Sequence, residues 1–171
     1  MPVRLLTAAD ASSFQALRLA GLSECPASFA SSHEEEADRS ATQVERMLTT
    51  NDDQGVFGCF EGARLIGIAG VKRETLRKLS HKAFVWGVYV AQDMRGKGVS
   101  RSLLREAIAF AQRTPGVTQL NLTVNADNAA AIRLYASLGF EQFGLERNAI
   151  FAEGCLHDEM LMQLLLDLQS R

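Results

Sequence analysis

The chain has 171 residues, of which 47% are hydrophobic and 22% charged, and 18 Lys and Arg face 20 Asp and Glu for a formal net charge of -2. That length fits a single domain, 1–171, with enough apolar residues to fill a core. The near-balance of charge excludes the basic excess that bulk nucleic-acid binding needs, so no nucleic-acid partner is expected.

Val3–Leu6 reads as a short strand. Thr7 and Asp10 then form a capping box for a helix whose inner face is Phe14, Leu17 and Ala20, with Gly21 as its stop. Residues 22–39 are turn-rich and carry the acidic run Glu34–Glu36, and a second helix over about Ala41–Leu48 is capped by Ser40. Val56–Glu61 and Arg64–Val71 flank Gly62-Ala63 as a hairpin. Lys72–Lys82 is a polar loop, and Ala83–Ala91 is a strand rich in Val, Trp and Tyr. Gly98–Arg113 places Leu103, Leu104, Ala107, Ile108 and Ala111 on one helical face. Val117–Val124 alternates as a strand, Asp127–Leu138 is a helix stopped by Gly139, and Phe140–Phe143 and Glu159–Leu166 are the last strands, with a loop or hairpin around Glu153-Gly154 between them. The order β-α-α-β-β-β-α-β-α-β-β predicts an α/β (α+β) fold with a mixed central sheet flanked by helices. The strand–helix–strand from Val85 to Val124 has the length of a parallel crossover.

Cys25, Cys59 and Cys155 are widely spaced and odd in number, which argues against a disulfide framework or a zinc site, and three separated histidines make no metal centre. The apolar run at Met1–Leu6 is too short for a signal peptide, and no stretch is long and apolar enough to span a membrane. A cytoplasmic protein with no metal and no membrane partner is therefore expected. The sequon at Asn121–Thr123 lies in a predicted strand and is read as chance.

Chemistry concentrates between Val88 and Leu104. A strand rich in valine runs into Arg95-Gly96-Lys97-Gly98-Val99-Ser100, which opens an amphipathic helix. Glycines let a backbone approach a bulky anion. The first turn of a helix adds unpaired N–H groups and a partial positive charge, so the segment suits a phosphate or pyrophosphate. Taken alone, a basic glycine-containing turn before a helix is equally a plain connection. GxxxxGK[ST] is absent, and the GxG of Gly96 and Gly98 lacks the third glycine of a dinucleotide fingerprint.

Arg95–Ser100 resembles the acetyl-CoA pyrophosphate loop of the GNAT superfamily, Q/R-x-x-G-x-G/A, with Ser100 in place of the final Gly or Ala. A second segment is similar to that superfamily's N-x-x-A-x-x-L-Y-x-x-x-G-F signature and supplies Asn128, Ala131, Leu134, Tyr135, Gly139 and Phe140. One helix and one strand separate the two motifs, as that family requires. The resemblance implies the GNAT-type acyl-CoA N-acyltransferase fold and direct attack of a primary amine on the thioester of acetyl-CoA, the cosubstrate. It implies cofactor contacts at Val88, Val90, Arg95, Gly96, Lys97, Gly98, Val99, Ser100 and Asn128, with the Val90 N–H facing the developing oxyanion and Tyr135 as the acid for the sulfur. Core packing for Tyr135 and helix capping for Asn128 are the competing readings. Some members carry a glutamate on the strand before the loop. Phe84 and Trp86 stand there here, so the base is left to a water chain, a backbone carbonyl or a residue from elsewhere, with His33, Glu34–Glu36, Glu74, His81, His157 and Asp158 as candidates. Cys25–Ser32, with Phe29 as an apolar wall, is the expected acceptor loop, and Glu34–Glu36 would attract a cationic amine. The rivals are a non-catalytic acyl-CoA-binding or regulatory module and a protein N-terminal or lysine acetyltransferase. Analogy with such folds suggests a homodimer.

Overall fold

The computed structural model describes residues 1–166. Their elements are β1 (Val3–Leu5), α1 (Ala11–Glu24), α2 (His33–Ala37), α3 (Ala41–Met47), β2 (Gln54–Glu61), β3 (Arg64–Arg73), β4 (Lys82–Val90), α4 (Val99–Arg113), β5 (Gln119–Asn125), α5 (Ala129–Ala136), β6 (Glu141–Ala152) and β7 (Cys155–Leu165). One mixed sheet has the order β1-β2-β3-β4-β5-β7-β6. Its neighbours are antiparallel except β4 and β5, which run parallel across the α4 crossover. The predicted mixed sheet flanked by helices is the fold found.

Alternation along the central strands sorts their side chains onto two faces. Phe57, Ile66, Val85, Leu120 and Leu122 pack with Leu103, Leu104 and Ala107 of α4 and with Tyr135 and Phe140. On the other face, Val56, Phe60, Ile68 and Tyr89 pack with Phe14 of α1 and with Val44 and Leu48 in and beyond α3. Each face of the sheet is thus closed by helices, and a cleft lies where the sheet itself opens.

Four local expectations are corrected. Gly21 does not stop α1, which continues to Glu24, because a Cβ there would lie 2.9 Å from the Tyr89 ring and glycine is what lets the helix seat on β4. The acidic run is helix α2, started by a capping box in which Ser32 accepts from the Glu35 N–H. The helix predicted over Asp127–Leu138 is the shorter α5, entered through Asn128 as N-cap. The two short terminal strands are instead the long hairpin β6–β7. Its register breaks between Glu146 and Ile150, and Asn148 at φ 56° donates its N–H to Asp158 at 2.8 Å. Exposed Leu145, Phe151 and Leu156 blur the polar–apolar alternation that marks a strand in sequence.

Candidate active site

Parallel pairing of β4 with β5 covers Lys82–Phe84 against Gln119–Asn121 and then ceases. Beyond it, the C-terminal halves of the strands diverge around a cleft of about 970 Å³. Two features of β4 shape that cleft. Ile68 faces Tyr89 and Gly70 faces Trp86, so Gly87 and Val88 both stand opposite Ala69 as a bulge, with Gly87 at φ 65°. Further along, Ala91 donates its N–H to the Ile66 carbonyl at 2.9 Å. Antiparallel ladders alternate between bonded and non-bonded pairs, so Val90, opposite Gly67, turns its N–H and C=O away from β3 and toward the gap. Backbone polar groups at that edge need a partner.

The loop Arg95–Ser100 sits at the mouth of this gap. Gly96 and Gly98 have φ of 76° and 80°, and a Cβ on either would meet nothing within 4 Å. They are glycines for their backbone conformation and for the open space above it. Gly98 is the N-cap of α4, whose first ladder bond runs from the Ser102 N–H to the Gly98 carbonyl, leaving the N–H groups of Val99, Ser100 and Arg101 at the helix start outside the α-helical ladder. Val99 anchors the turn in the core, Ser100 borders the cleft, and exposed Lys97 places its Nζ 3.4 Å from the Met94 sulfur. Arg95 is placed differently from a free phosphate ligand. Its guanidinium ion-pairs with Glu24 at 2.8 Å, donates Nε to the Val90 carbonyl at 3.2 Å and lies over the Tyr89 ring. Tyr89 donates its hydroxyl to Glu24. That bond, helped by Arg95, holds the Glu24 carboxyl below its ordinary range, while burial and Glu24 push Tyr89 up to about 12.

Tyr135 is 7% exposed, lines the cleft and packs edge-on to Phe140 at 6.0 Å between ring centroids. Burial pushes its phenol up to about 12, so it remains protonated throughout the neutral range. Core packing and a place in the cleft, alternatives in sequence, hold together here. The same is true of Asn128, whose Oδ1 accepts from the Ala131 N–H at 3.1 Å while the residue borders the cleft.

On the α1–α2 side, Arg18 and Glu36 form a bidentate pair at 3.1 and 2.9 Å, and Arg39 adds a contact to Glu36 at 3.1 Å. Phe29 covers the Arg18 guanidinium at 4.6 Å. The Asn125 side chain donates to the Ala27 carbonyl at 3.1 Å and ties the Cys25–Ser32 loop to β5. The acidic run does not present three free charges: Glu34 and Glu35 are exposed, Glu35 closes the cap of α2, and buried Glu36 is neutralised by two arginines. Of the other candidate bases, His33, Glu74, His81, His157 and Asp158 do not line the cleft. Residues that sequence reasoning passed over do line it: Arg18, Thr123, Asn125 and Glu159. The polar alternation Asn121, Thr123, Asn125 between apolar neighbours was the available signal that β5 shows one wet face.

The family model for the acetyltransferase (GNAT) family matches residues 20–140. The N-alpha-acetyltransferase RimI of Mycobacterium tuberculosis is 39% identical over 90 residues, 53% of this chain and 54% of that protein. The chain spans about half the length, or less, of the first curated relatives it matches. The ribosomal-protein-alanine N-acetyltransferase of Brucella melitensis superposes with a TM-score of 0.80 at 26% identity, covering 97% of this chain and 100% of that one. The yncA putative acetyltransferase of Salmonella typhimurium, solved with acetyl-CoA, superposes at 0.82 with 23% identity over 100% and 96% of the two chains and shares the fold. With a matching family model over most of its length and a splayed β4–β5 cleft beside a glycine-opened helix, the chain belongs to the GNAT acetyltransferase family.

Proposed function

We propose that this chain, as one domain over 1–171, is an N-acetyltransferase that takes acetyl-CoA into the β4–β5 gap and acetylates a primary amine. The observation that carries the reading is the end of strand pairing after Phe84, which leaves Val90 backbone groups facing a gap beside the loop of Gly96 and Gly98. The residues fit acetyl-CoA. N–H groups from Gly96 to Ser100 would cradle the pyrophosphate, with Lys97 adding charge, Val88 and Asn128 would border the pantetheine arm, and bound acetyl-CoA supplies the activated acetyl group. Arg95 serves this site indirectly, by holding the Val90 carbonyl and Glu24 and so fixing the end of β4.

The Val90 N–H would donate to the thioester oxygen as negative charge grows there. Tyr135 would donate its proton to the departing sulfur. A phenol near 12 is a weaker acid than an ordinary thiol, at roughly 8.5. Tyr135 therefore acts first as a hydrogen-bond donor to the thiolate, and the proton moves as the amine gives up its own. Among amines, the N-terminus of a polypeptide is the first class to test, because the names of the M. tuberculosis and B. melitensis relatives specify that chemistry.

The test measures acetyl-CoA binding by calorimetry and thiol release over a panel of small amines and N-terminal-alanine peptides, for wild type and Tyr135→Phe. Expected are saturable binding, turnover with at least one amine and, for Tyr135→Phe, a kcat lower by about 10²-fold with acetyl-CoA binding within roughly threefold. Binding without turnover across the panel would favour an acyl-CoA-binding module, and no binding at all would remove the reading.

A further inference from the structure

The cleft is lined by two carboxylates among the described residues, Glu36 and Glu159. They are opposites in environment. Glu36 is 1% exposed and locked by Arg18 and Arg39, so it has neither the free lone pairs nor the basicity to accept a proton. Glu159 lies half-buried on β7, opposite Asn125 of β5 on one side and Glu146 of β6 on the other. Directly opposed residues share a face of the sheet. Glu159 therefore shares the wet face of β5 with Asn125 and Thr123, at the end where β4 and β5 have parted. No salt bridge joins it to a cation among the described residues, and the groups that face it are the Thr123 hydroxyl, the Asn125 amide and the like charge of Glu146.

From this placement we infer that Glu159 is the general base that takes the first proton from the acceptor ammonium. The inference rests on the acetyltransferase reading above. In the step, one N–H proton passes to the Glu159 carboxylate, directly or through one water. The neutral nitrogen then forms the C–N bond to the acetyl carbon while the C–S bond breaks. The nitrogen's second proton replaces the one that Tyr135 gives to the sulfur, and the proton on Glu159 leaves to solvent. One amide, one thiol and one free proton result. Burial pushes the Glu159 carboxyl above its ordinary range, Glu146 adds to that, and hydrogen bonding with Thr123 opposes it. A carboxylate so placed is a better proton acceptor at neutral pH than an exposed one.

The experiment uses wild type, Glu159→Gln and Glu146→Gln with acetyl-CoA and the best amine of the panel, over pH 5–9.5. Wild-type kcat/KM should fall as pH drops through the Glu159 pKa, because the base must be ionised. Glu159→Gln should lose about 10²–10⁴-fold in kcat at pH 7, keep its acetyl-CoA affinity, and regain ground on wild type as pH nears the amine's own pKa. Glu146→Gln should keep its rate and move the acid limb to lower pH, a shift that a purely structural Glu159 does not produce. An active wild type with Glu159→Gln within threefold at every pH, or with Glu146→Gln leaving the limb unmoved, overturns the assignment of the base alone. Wild type inert toward every amine counts against the acetyltransferase reading instead.

Discussion

Glu36→Gln should destabilise the protein by about 3–5 kcal/mol, the usual consequence of removing one partner of a buried ion pair. The side chains of Arg18 and Glu36 are 7% and 1% exposed, so the substitution leaves a guanidinium in the interior with no counter-charge. Arg18 already has one buried nitrogen, Nη1, without a hydrogen-bond partner, and a glutamine, with one oxygen where the carboxylate has two, would satisfy fewer of the others. The double variant Arg18→Met with Glu36→Leu should recover most of that loss, because packed apolar residues need no counter-charge. Urea titrations of the three proteins decide it. A single variant within 1 kcal/mol of wild type would mean that water reaches the pair, and a double variant no better than the single would mean that the hydrogen-bond geometry matters more than the charge. The pH dependence has a fixed sign. Burial tends to raise the Glu36 carboxyl, but Arg18 and Arg39 prevail and hold it below its ordinary range. A depressed folded-state pKa gives stability that is present above the unfolded value and lost as pH falls through the folded one. Asp10, held down to about 2 chiefly by Arg4, acts in the same direction. Glu36→Gln should therefore flatten the acid side of the stability profile. The pair also joins α1 to α2, so its loss should loosen the α1–α2 side of the cleft before it affects the α4 side.

What the sequence revealed and what it hid divide along a physical line. Local chemistry was legible. Ser40 with Gln43 caps α3 as those residue types require, the Thr7–Asp10 box closes a single 3-10 turn that leads into α1 rather than α1 itself, and Gly98 before an amphipathic run marks the start of α4. So were the strands with strong alternation and the two motif segments. Long-range compensation was not. Arg95 reads as a free cation beside two glycines, yet its charge is met by Glu24, 71 positions earlier in a different element. Gly21 reads as a stop because glycine usually ends helices, and only the Tyr89 ring, brought over from β4, explains it as a packing residue. Glu36 is one of three identical neighbours in sequence, and only the turn of α2 selects it for burial. Glu159 sits in a strand whose partners on both sides must be known before its face can be assigned.

Gly98→Glu should lower acetyl-CoA affinity by more than about 10²-fold, and Gly98→Ala by roughly tenfold, about 1.4 kcal/mol. Two separable causes act. At φ 80°, Gly98 occupies the left-handed region, where an L-residue costs roughly 1–2 kcal/mol, so either substitution pulls the loop away from its conformation. Glutamate adds a negative charge at the start of α4, where the proposed pyrophosphate would sit, so helix dipole and ligand charge then compete for one place. Neither variant should disturb the core, since a Cβ at this position meets no atom within 4 Å. Their melting temperatures should stay within a few degrees of wild type, at about 4 °C or less per kcal/mol for a chain of this size. Calorimetry with acetyl-CoA reads both effects. Arg95→Ala supplies the contrast. If Arg95 acts by bracing β4 through Val90 and Glu24, its loss should lower stability and kcat together while affinity falls less than in Gly98→Glu. If instead Arg95→Ala matched Gly98→Glu in lost affinity at unchanged stability, the arginine would be a direct phosphate ligand that swings out on binding. A Gly98→Glu protein that still bound acetyl-CoA as wild type does would move the pyrophosphate away from this loop altogether.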